Sequence, residues 1–265
     1  MDVSIIIVSY NTKQVLNNCL DSIYKNTKRT RFEVIVIDNA STDGTVGFLK
    51  ELAKNKTSLN LILNTSNLGF AKANNQAIKL AKGKRVLLLN SDTIINEGVI
   101  GQLTDQSMKF NDEAILAPRL LNTDGSVQPS CYHFPTITGA ILEFWLGKVS
   151  QFSKYYPKGE QPLEVDAAVG AVLLIPREVI DKVGYLNEKY FMYFEDLDYC
   201  RRARLKNIKV VYLPSIEIVH LHGESGKNLK EKPNQWLTES SKKYHGIIKY
   251  QLITAIIKIS SKFKT

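Results

Sequence analysis

At 265 residues, with 44% hydrophobic and 23% charged residues, the chain can bury one large α/β domain or two merged halves, and its composition excludes a disordered tail. Its net charge of +9 is uneven: from Lys227 onward nine lysines against two glutamates give +7, leaving +2 on the other 226 residues, which argues against a nucleic-acid-binding body. No run approaches the ~18–20 apolar residues of a membrane span, Met1-Asp2 opens no basic leader, and Cys19, Cys131 and Cys200 are too few and scattered for a disulfide framework or zinc site, which points to a reducing cytoplasm.

Val3–Val8 is a β-branched run of the kind buried on both faces of a parallel sheet. The segment 12–26 then reads as a helix, with Val15, Leu16, Cys19, Leu20 and Ile23 at helical spacing. A second strand is expected at 32–37 and a second helix at 42–54, capped by Ser41 or Thr42. The alternation continues with a strand at 59–63, a helix at 70–81 and a strand at 85–89. Such alternation predicts a right-handed, doubly wound sheet, whose ligands sit beyond the carboxyl ends of the strands. That rule selects Ser9-Tyr10-Asn11, Asp38-Asn39 and Asn90-Ser91-Asp92.

From about Asn122 to Glu164 the regularity fades into a turn at Asp124-Gly125 and a crowd of aromatics including Tyr132 and Trp145. Regular structure resumes with a strand at 165–175, helices near 177–183 and 195–206, and strands at 210–213 and 217–219. From Pro233 a helical tail is expected, with Leu237, Tyr244, Ile248, Leu252, Ala255, Ile256, Ile259 and Phe263 on one stripe and lysines over most of the remainder.

Several positions combine chemistry with placement. Asp38, at a strand end beside the 9–11 loop, can accept the imide N–H of uracil or thymine, and Tyr10 can stack on the base; the pair Asp38-Asn39 can equally shape the following turn. Asp92 suits a hard cation that bridges two phosphates and takes one or two protein carboxylates, although a simple polar turn fits too. Gly69 permits a tight entry into the helix carrying Lys72, which can meet phosphate or base; capping by Asn67 explains the same residues. In Phe191-Met192-Tyr193-Phe194-Glu195-Asp196 the two acids emerge from a buried segment. One of them can take the proton of an attacking hydroxyl, while helix-dipole stabilisation is the structural alternative. Asp198 reads as a partner of Arg201 or Arg202. His220 in the loop His220-Leu221-His222-Gly223 can complete a cation's shell, with Ser225 and Lys227 on phosphate oxygens.

Taken in order, these segments resemble glycosyltransferase family 2, and within it the rhamnosyltransferase-like inverting enzymes. The matching pieces are Val8-Ser9-Tyr10-Asn11, Asp38 to Gly44, Asn67 to Phe70, Leu89 to Asp92, Asn122 to Ser126, Val169-Gly170-Ala171, Phe191 to Asp198 and His220 to Gly223. The resemblance covers about residues 1–227 and implies a GT-A fold, Mg²⁺ or Mn²⁺, and single-displacement inversion. It implies a nucleotide-sugar-binding half over 1–121 and an acceptor-binding and catalytic half over 122–227, and the pattern beyond it leaves a basic helical tail over 228–265. By position it assigns Asp38 to the base, Asp92 to the metal, Asp196 to the catalytic base, Glu195 to the acceptor side and His220 to metal or diphosphate. Ser9, Tyr10, Asn11, Asn39, Gly69, Lys72, Asn90 and Ser91 complete the nucleotide set, and Tyr132, Trp145 and Gly170 the acceptor set. Asn90 stands where many relatives carry the first aspartate of an Asp-x-Asp motif, so metal ligation would rest on Asp92. The change is compatible with dTDP-rhamnose, since deoxythymidine lacks a ribose 2′-hydroxyl.

The expected activity is transfer of rhamnose or a similar sugar from a dTDP- or UDP-sugar to a cell-surface glycan or its lipid-linked precursor. The alternative is a non-catalytic sugar-nucleotide-binding protein whose motif has decayed at Asn90. The tail is expected to lie on an anionic inner leaflet, making the protein cytoplasmic and peripheral on the membrane, or to pack on the body or in a homodimer interface. The absence of a Gly-rich loop after the first strand argues against dinucleotide oxidoreductases and nucleotidyltransferases.

Overall fold

A computed structural model describes residues 1–221, 223 and 232–263. The first half is the expected alternation: β1 (Val3–Ser9), α1 (Lys13–Asn26), β2 (Phe32–Asp38), α2 (Thr45–Asn55), β3 (Leu59–Leu63), α3 (Phe70–Leu80) and β4 (Arg85–Leu89). Next come β5 (Thr93–Ile94), α4 (Val99–Lys109), β6 (Ile115–Leu121), β7 (Val127–Gln128), β8 (Cys131–Tyr132) and α5 (Ile137–Phe144). The chain continues through β9 (Leu163–Val165), β10 (Ala167–Ala168), β11 (Val172–Pro176), α6 (Arg177–Val183), α7 (Glu195–Leu205) and β12 (Val210–His220). It ends with α8 (Lys232–His245) and α9 (Ile247–Phe263).

The central sheet has the order β3-β2-β1-β4-β11-β6-β12-β5. Strands β1 to β4 are mutually parallel, β6 and β12 are parallel, and β11 runs antiparallel between β4 and β6. The result is a mixed but mostly parallel sheet between two helical layers, as the sequence predicts. Alternate strand residues feed opposite layers because side chains on a strand point up and down in turn. Ile6, Ile35, Val86 and Leu88 pack with α3, α6 and α7. Ile5, Ile7, Val36 and Leu87 pack with α1, α2 and α4.

Four expectations need correction. Helix α2 begins at Thr45, with Gly44 left-handed at its cap position (φ 86°). Neither Ser41 nor Thr42 caps it; Asp43, one residue before the cap position, accepts from Thr45 N at 3.1 Å and from Lys13 N at 2.9 Å at the start of α1. The single strand expected at 165–175 is broken at Val169-Gly170-Ala171, where the backbone leaves the ladder and turns toward the active face. The two strands expected at 210–219 are one, β12, which absorbs the irregularity as a register shift between Leu213 and Glu217.

The fourth concerns the tail, which is two helices broken at left-handed Gly246 (φ 78°) rather than one continuous stripe. Its inward side includes Tyr244 and Ile253, both buried. Tyr244 joins the core layer of α7, and Trp145 at the end of α5 donates its indole N–H to Ile256 O at 3.1 Å. The tail is therefore packed on the body, and Ile253, which lies off the expected apolar stripe, is its buried anchor.

Candidate active site

Strand β4 delivers Asn90-Ser91-Asp92 to the sheet's carboxyl edge, and Asn90 N is tied to Ala171 O at 2.8 Å. The short strand β5 then pairs antiparallel with the end of β12, setting Thr93 opposite His220. That pairing brings together two residues 128 positions apart: His220 Nε2 lies 3.3 Å from Asp92 Oδ1. On the other side of the ring, Nδ1 is 2.7 Å from Gln128 Oε1. An amide oxygen only accepts, so Gln128 places a proton on Nδ1, and in the neutral ring the lone pair then lies on Nε2. Nε2 also faces the Asn90 side-chain amide at 3.4 Å. A carboxylate oxygen and an imidazole lone pair at this separation can form half the shell of one divalent cation, and the Gln128 contact gives the outer-shell orientation that such a histidine needs. Among the described residues no group of three or more His, Cys, Asp or Glu side chains gathers, so substrate oxygens or water would have to supply the rest.

A cavity of about 310 Å³ opens beside this pair. On one side it is bordered by Tyr10, Asn39, Asn67 and Gly69, and on the other by Tyr132, Lys154, Gly170, Glu195 and Asp196. Asn90, Ser91, Asp92 and His220 form its middle. Thus strand ends from the first half and the head of α7 meet across one space.

Of the expected nucleotide residues, Tyr10, Asn39, Gly69, Asn90 and Ser91 line the cavity. Asp38 is fully buried behind that lining: Oδ2 accepts from Ser41 N at 2.9 Å, while Oδ1 is buried without a partner. Ser9 is also buried, its hydroxyl 2.9 Å from that of Thr12. Asn11 ties Thr42 N at 2.7 Å and shapes the loop instead of lining the cavity. Lys72 points to solvent on α3 and is not among the lining residues. Trp145, expected in the acceptor set, lines neither this cavity nor its neighbour and instead anchors α9. Ser225 and Lys227 lie outside the described residues.

The approach to the two acids is strained. Tyr193 and Phe194 are both left-handed (φ 69° and 68°), a conformation costing of order 1–3 kcal/mol per non-glycine residue. The turn aims Glu195 and Asp196 from the first turn of α7 into the cavity instead of along the helix surface. Asp196 Oδ2 accepts from Gly170 N at 2.9 Å and Oδ1 from Leu197 N at 2.8 Å. The break in the β10–β11 run is what frees the Gly170 N–H for this task. Glu195 Oε2 is buried with no partner. Burial pushes the pKa of both carboxyls up. For Glu195 the neighbouring Asp196 charge adds to the rise, whereas for Asp196 the Gly170 and Leu197 amides and the Lys154 ammonium oppose it. Asp196 therefore carries the charge and Glu195 the proton when the pair holds one. Asp198 is structural as expected, with Arg202 Nε donating to it at 2.9 Å.

Lys154 and Gln128 also border the cavity, beyond the residues that the sequence points to. Each sits in a segment whose local pattern carries no periodic signal, and only the folded chain brings it to the site. Gln128 has a sequence cue in retrospect: it follows the Asp124-Gly125 turn by three residues, so a hairpin returns it to β6 and the sheet edge.

Comparison with known proteins agrees with this geometry. A hexosyltransferase of low-salt glycan biosynthesis from Haloferax volcanii is 30% identical over 225 residues, covering 83% of this chain and 67% of its own. The N-acetylglucosaminyl-diphospho-decaprenol L-rhamnosyltransferase of Mycobacterium tuberculosis is 28% identical, covering 82% of this chain and 75% of its own. Among solved structures, GalNAc-T7 with UDP, GalNAc and Mn²⁺ superposes with a TM-score of 0.67 at 15% identity, over 83% of this chain and 44% of that one; the fold is of the GT-A type. The family profile described as Glycosyl transferase family 2 matches residues 4–184, from the first strand through the sheet's central antiparallel strand and the helix after it. With the fold, the strand-end acids and this match in agreement, the chain belongs to glycosyl transferase family 2.

Proposed function

We propose that the protein is an inverting, metal-assisted glycosyltransferase that moves a sugar, with rhamnose from dTDP-rhamnose as the leading donor, onto a hydroxyl of a cell-surface glycan or lipid-linked precursor. The observation that carries this reading is Asp196: a carboxyl group, fixed by two backbone amides, on the wall of a cavity whose opposite wall carries the expected nucleotide residues. In the step we infer, the acceptor oxygen bonds to the anomeric carbon as its proton passes to Asp196, and the bond from that carbon to the diphosphate oxygen breaks with inversion. Asp92 and His220 would hold Mg²⁺ or Mn²⁺, which when bound neutralises charge on the departing diphosphate. The L-rhamnosyltransferase relative supports rhamnose as the sugar; the UDP and Mn²⁺ held by GalNAc-T7 support a nucleotide and a divalent cation in the same fold.

Residues 1–121 then serve the donor and 122–227 the acceptor and the proton. The packed tail is read as a peripheral contact with the inner face of the plasma membrane. No helix of the described residues is long and apolar enough to cross a membrane.

The test is Asp196→Asn, assayed for turnover and, by calorimetry, for binding of dTDP and UDP with Mn²⁺. Nucleotide binding is expected to persist while turnover falls at least a hundredfold, in line with the usual contribution of a general base. Near-normal turnover in the purified variant would remove Asp196 from the role of base.

A further inference from the structure

On the far side of the Glu195–Asp196 pair lies a second cavity, of about 380 Å³. Tyr132, Tyr193, Glu195 and Asp196 border both spaces, so the carboxylates form a shared partition. The opposite wall of the second cavity is built by the tail: Leu237, Ser241 and His245 come from α8, and Tyr250, Ile253 and Ile257 from α9. The tail also holds the strained turn that aims the acids. Phe194 packs on Tyr244 (ring centroids 5.1 Å apart), Phe191 on Trp236 (4.6 Å), and the Ser240 hydroxyl donates to Met192 O at 2.8 Å.

The chemistry of this space is mixed in a particular way. Its walls are aliphatic and aromatic, yet two buried polar atoms at its border have no partner: Glu195 Oε2 and His245 Nδ1. Glu195 is only 6% exposed, so leaving that oxygen unpaired is costly unless a ligand hydroxyl meets it. Burial, with Lys249 and Arg201 nearby, brings the His245 pKa down to about 4, so the ring is neutral at pH 7 and can exchange one hydrogen bond at each nitrogen. Isolated polar anchors in an apolar, aromatic chamber suit a sugar ring with something non-polar attached. A bare oligosaccharide would leave the Leu237, Ile253 and Ile257 wall without a match.

We propose that this chamber is the acceptor site, that the carboxyl-terminal helices build its outer wall, and that it takes a saccharide bearing an apolar aglycone, whose attacking hydroxyl lies at Asp196 and whose aglycone lies against α9. The inference rests on the glycosyl-transfer reading and adds the substrate's non-polar part and the residues that recognise it.

The experiment compares methyl and decyl β-glycosides of N-acetylglucosamine, the decyl compound below its micellar concentration, by calorimetry on the full chain with dTDP and Mn²⁺ present. Sharing the same sugar, the two probes differ only in the aglycone. The wild type is expected to bind the decyl glycoside at least tenfold more tightly. Ile253→Trp and, at a half-buried position, Thr254→Trp each fill the chamber and are expected to erase that preference, whereas Gln251→Trp on the exposed side of α9 keeps it. Binding of dTDP with Mn²⁺ is measured on every variant and reports an intact body. Equal affinity for the two glycosides in the wild type overturns the proposal, as does a preference that survives both chamber-filling changes in proteins that still bind nucleotide. Failure of the wild type to bind any nucleotide would instead overturn the glycosyl-transfer reading, so the two failures are told apart.

Discussion

Glu195 and Asp196 are adjacent in sequence and share a buried wall, yet their surroundings divide them. Asp196 has amides and a lysine to hold its charge, whereas Glu195 has a neighbouring charge and an orphaned oxygen. Activity that needs Asp196 ionised should fall as pH drops through a midpoint above the ordinary carboxylate range near 4. A kcat/KM profile with its acidic limb there checks the assignment, and Lys154→Met should move that limb upward by removing the ammonium that favours ionisation. Stability carries the opposite sign. A carboxyl whose folded pKa is raised contributes fully below its unfolded pKa and costs stability as pH climbs toward the folded value. Glu195→Gln is therefore expected to melt at a higher temperature than wild type at pH 7 to 8, with the gap closing toward pH 4. A gap that stays constant across this range would show that Glu195 is not held in its protonated form by burial.

At the scale of elements, the turn that leads into Glu195 and Asp196 is held from two sides. On the donor side Gly69 is backed against it: Phe70 N donates to Phe191 O at 2.7 Å, and a Cβ on Gly69 would stand 2.3 Å from that same oxygen. Gly69 also has φ +82° and ψ 172°, a region open essentially to glycine alone. Gly69→Ala is expected to lower stability by about 2 kcal/mol or more and to reduce turnover by shifting the turn before Glu195; denaturant unfolding and steady-state assays read the two effects. What the sequence makes legible follows from this element logic. Strands such as Val3–Ser9 and helices such as Phe70–Leu80 announce themselves because burial imposes a period of two or 3.6 residues. Asp92 and Asp196 are legible because an apolar run leads up to each. Helix α4 is legible in the same way, with Val99, Ile100 and Leu103 at helical spacing. The Asp92–His220 pair, the Gly170 amide on Asp196 and the seating of Trp145 on α9 were not legible, because each depends on pairing between segments far apart in sequence. No local period encodes a β5–β12 bridge or the break at Val169-Gly170-Ala171.

For the molecule as a whole, the packing of the tail changes what it can present to a surface. The inner side of α9 is occupied by Ile253 and its neighbours against the body, so the apolar residues left outside form their own row. Ile248, Leu252, Ala255 and Ile259 recur at helical spacing and are exposed, as are Ile141, Trp145, Leu146 and Val149 on and after the adjoining α5. Exposed Lys148, Lys258 and Lys262 accompany them. An apolar row with lysines among it matches the boundary of an anionic bilayer, where each lysine near the surface contributes ~1 kcal/mol. Contiguous apolar exposure of this kind is uncommon on a protein that meets only water. Such a seating would also place α9 between lipid and the second cavity. Removing the tail is a poor test, because it would strip Tyr244 from the core and Trp236 from the Phe191 ring in the turn before Glu195. The triple change Ile248→Ser, Leu252→Ser and Ile259→Ser leaves the inner face intact and alters only the outer row. Full-length wild type is expected to co-sediment with vesicles containing phosphatidylserine, less so with pure phosphatidylcholine and less so in high salt. The triple variant should stay largely in the supernatant while binding dTDP as the wild type does. Equal partition of the two proteins would exclude this face as the membrane contact.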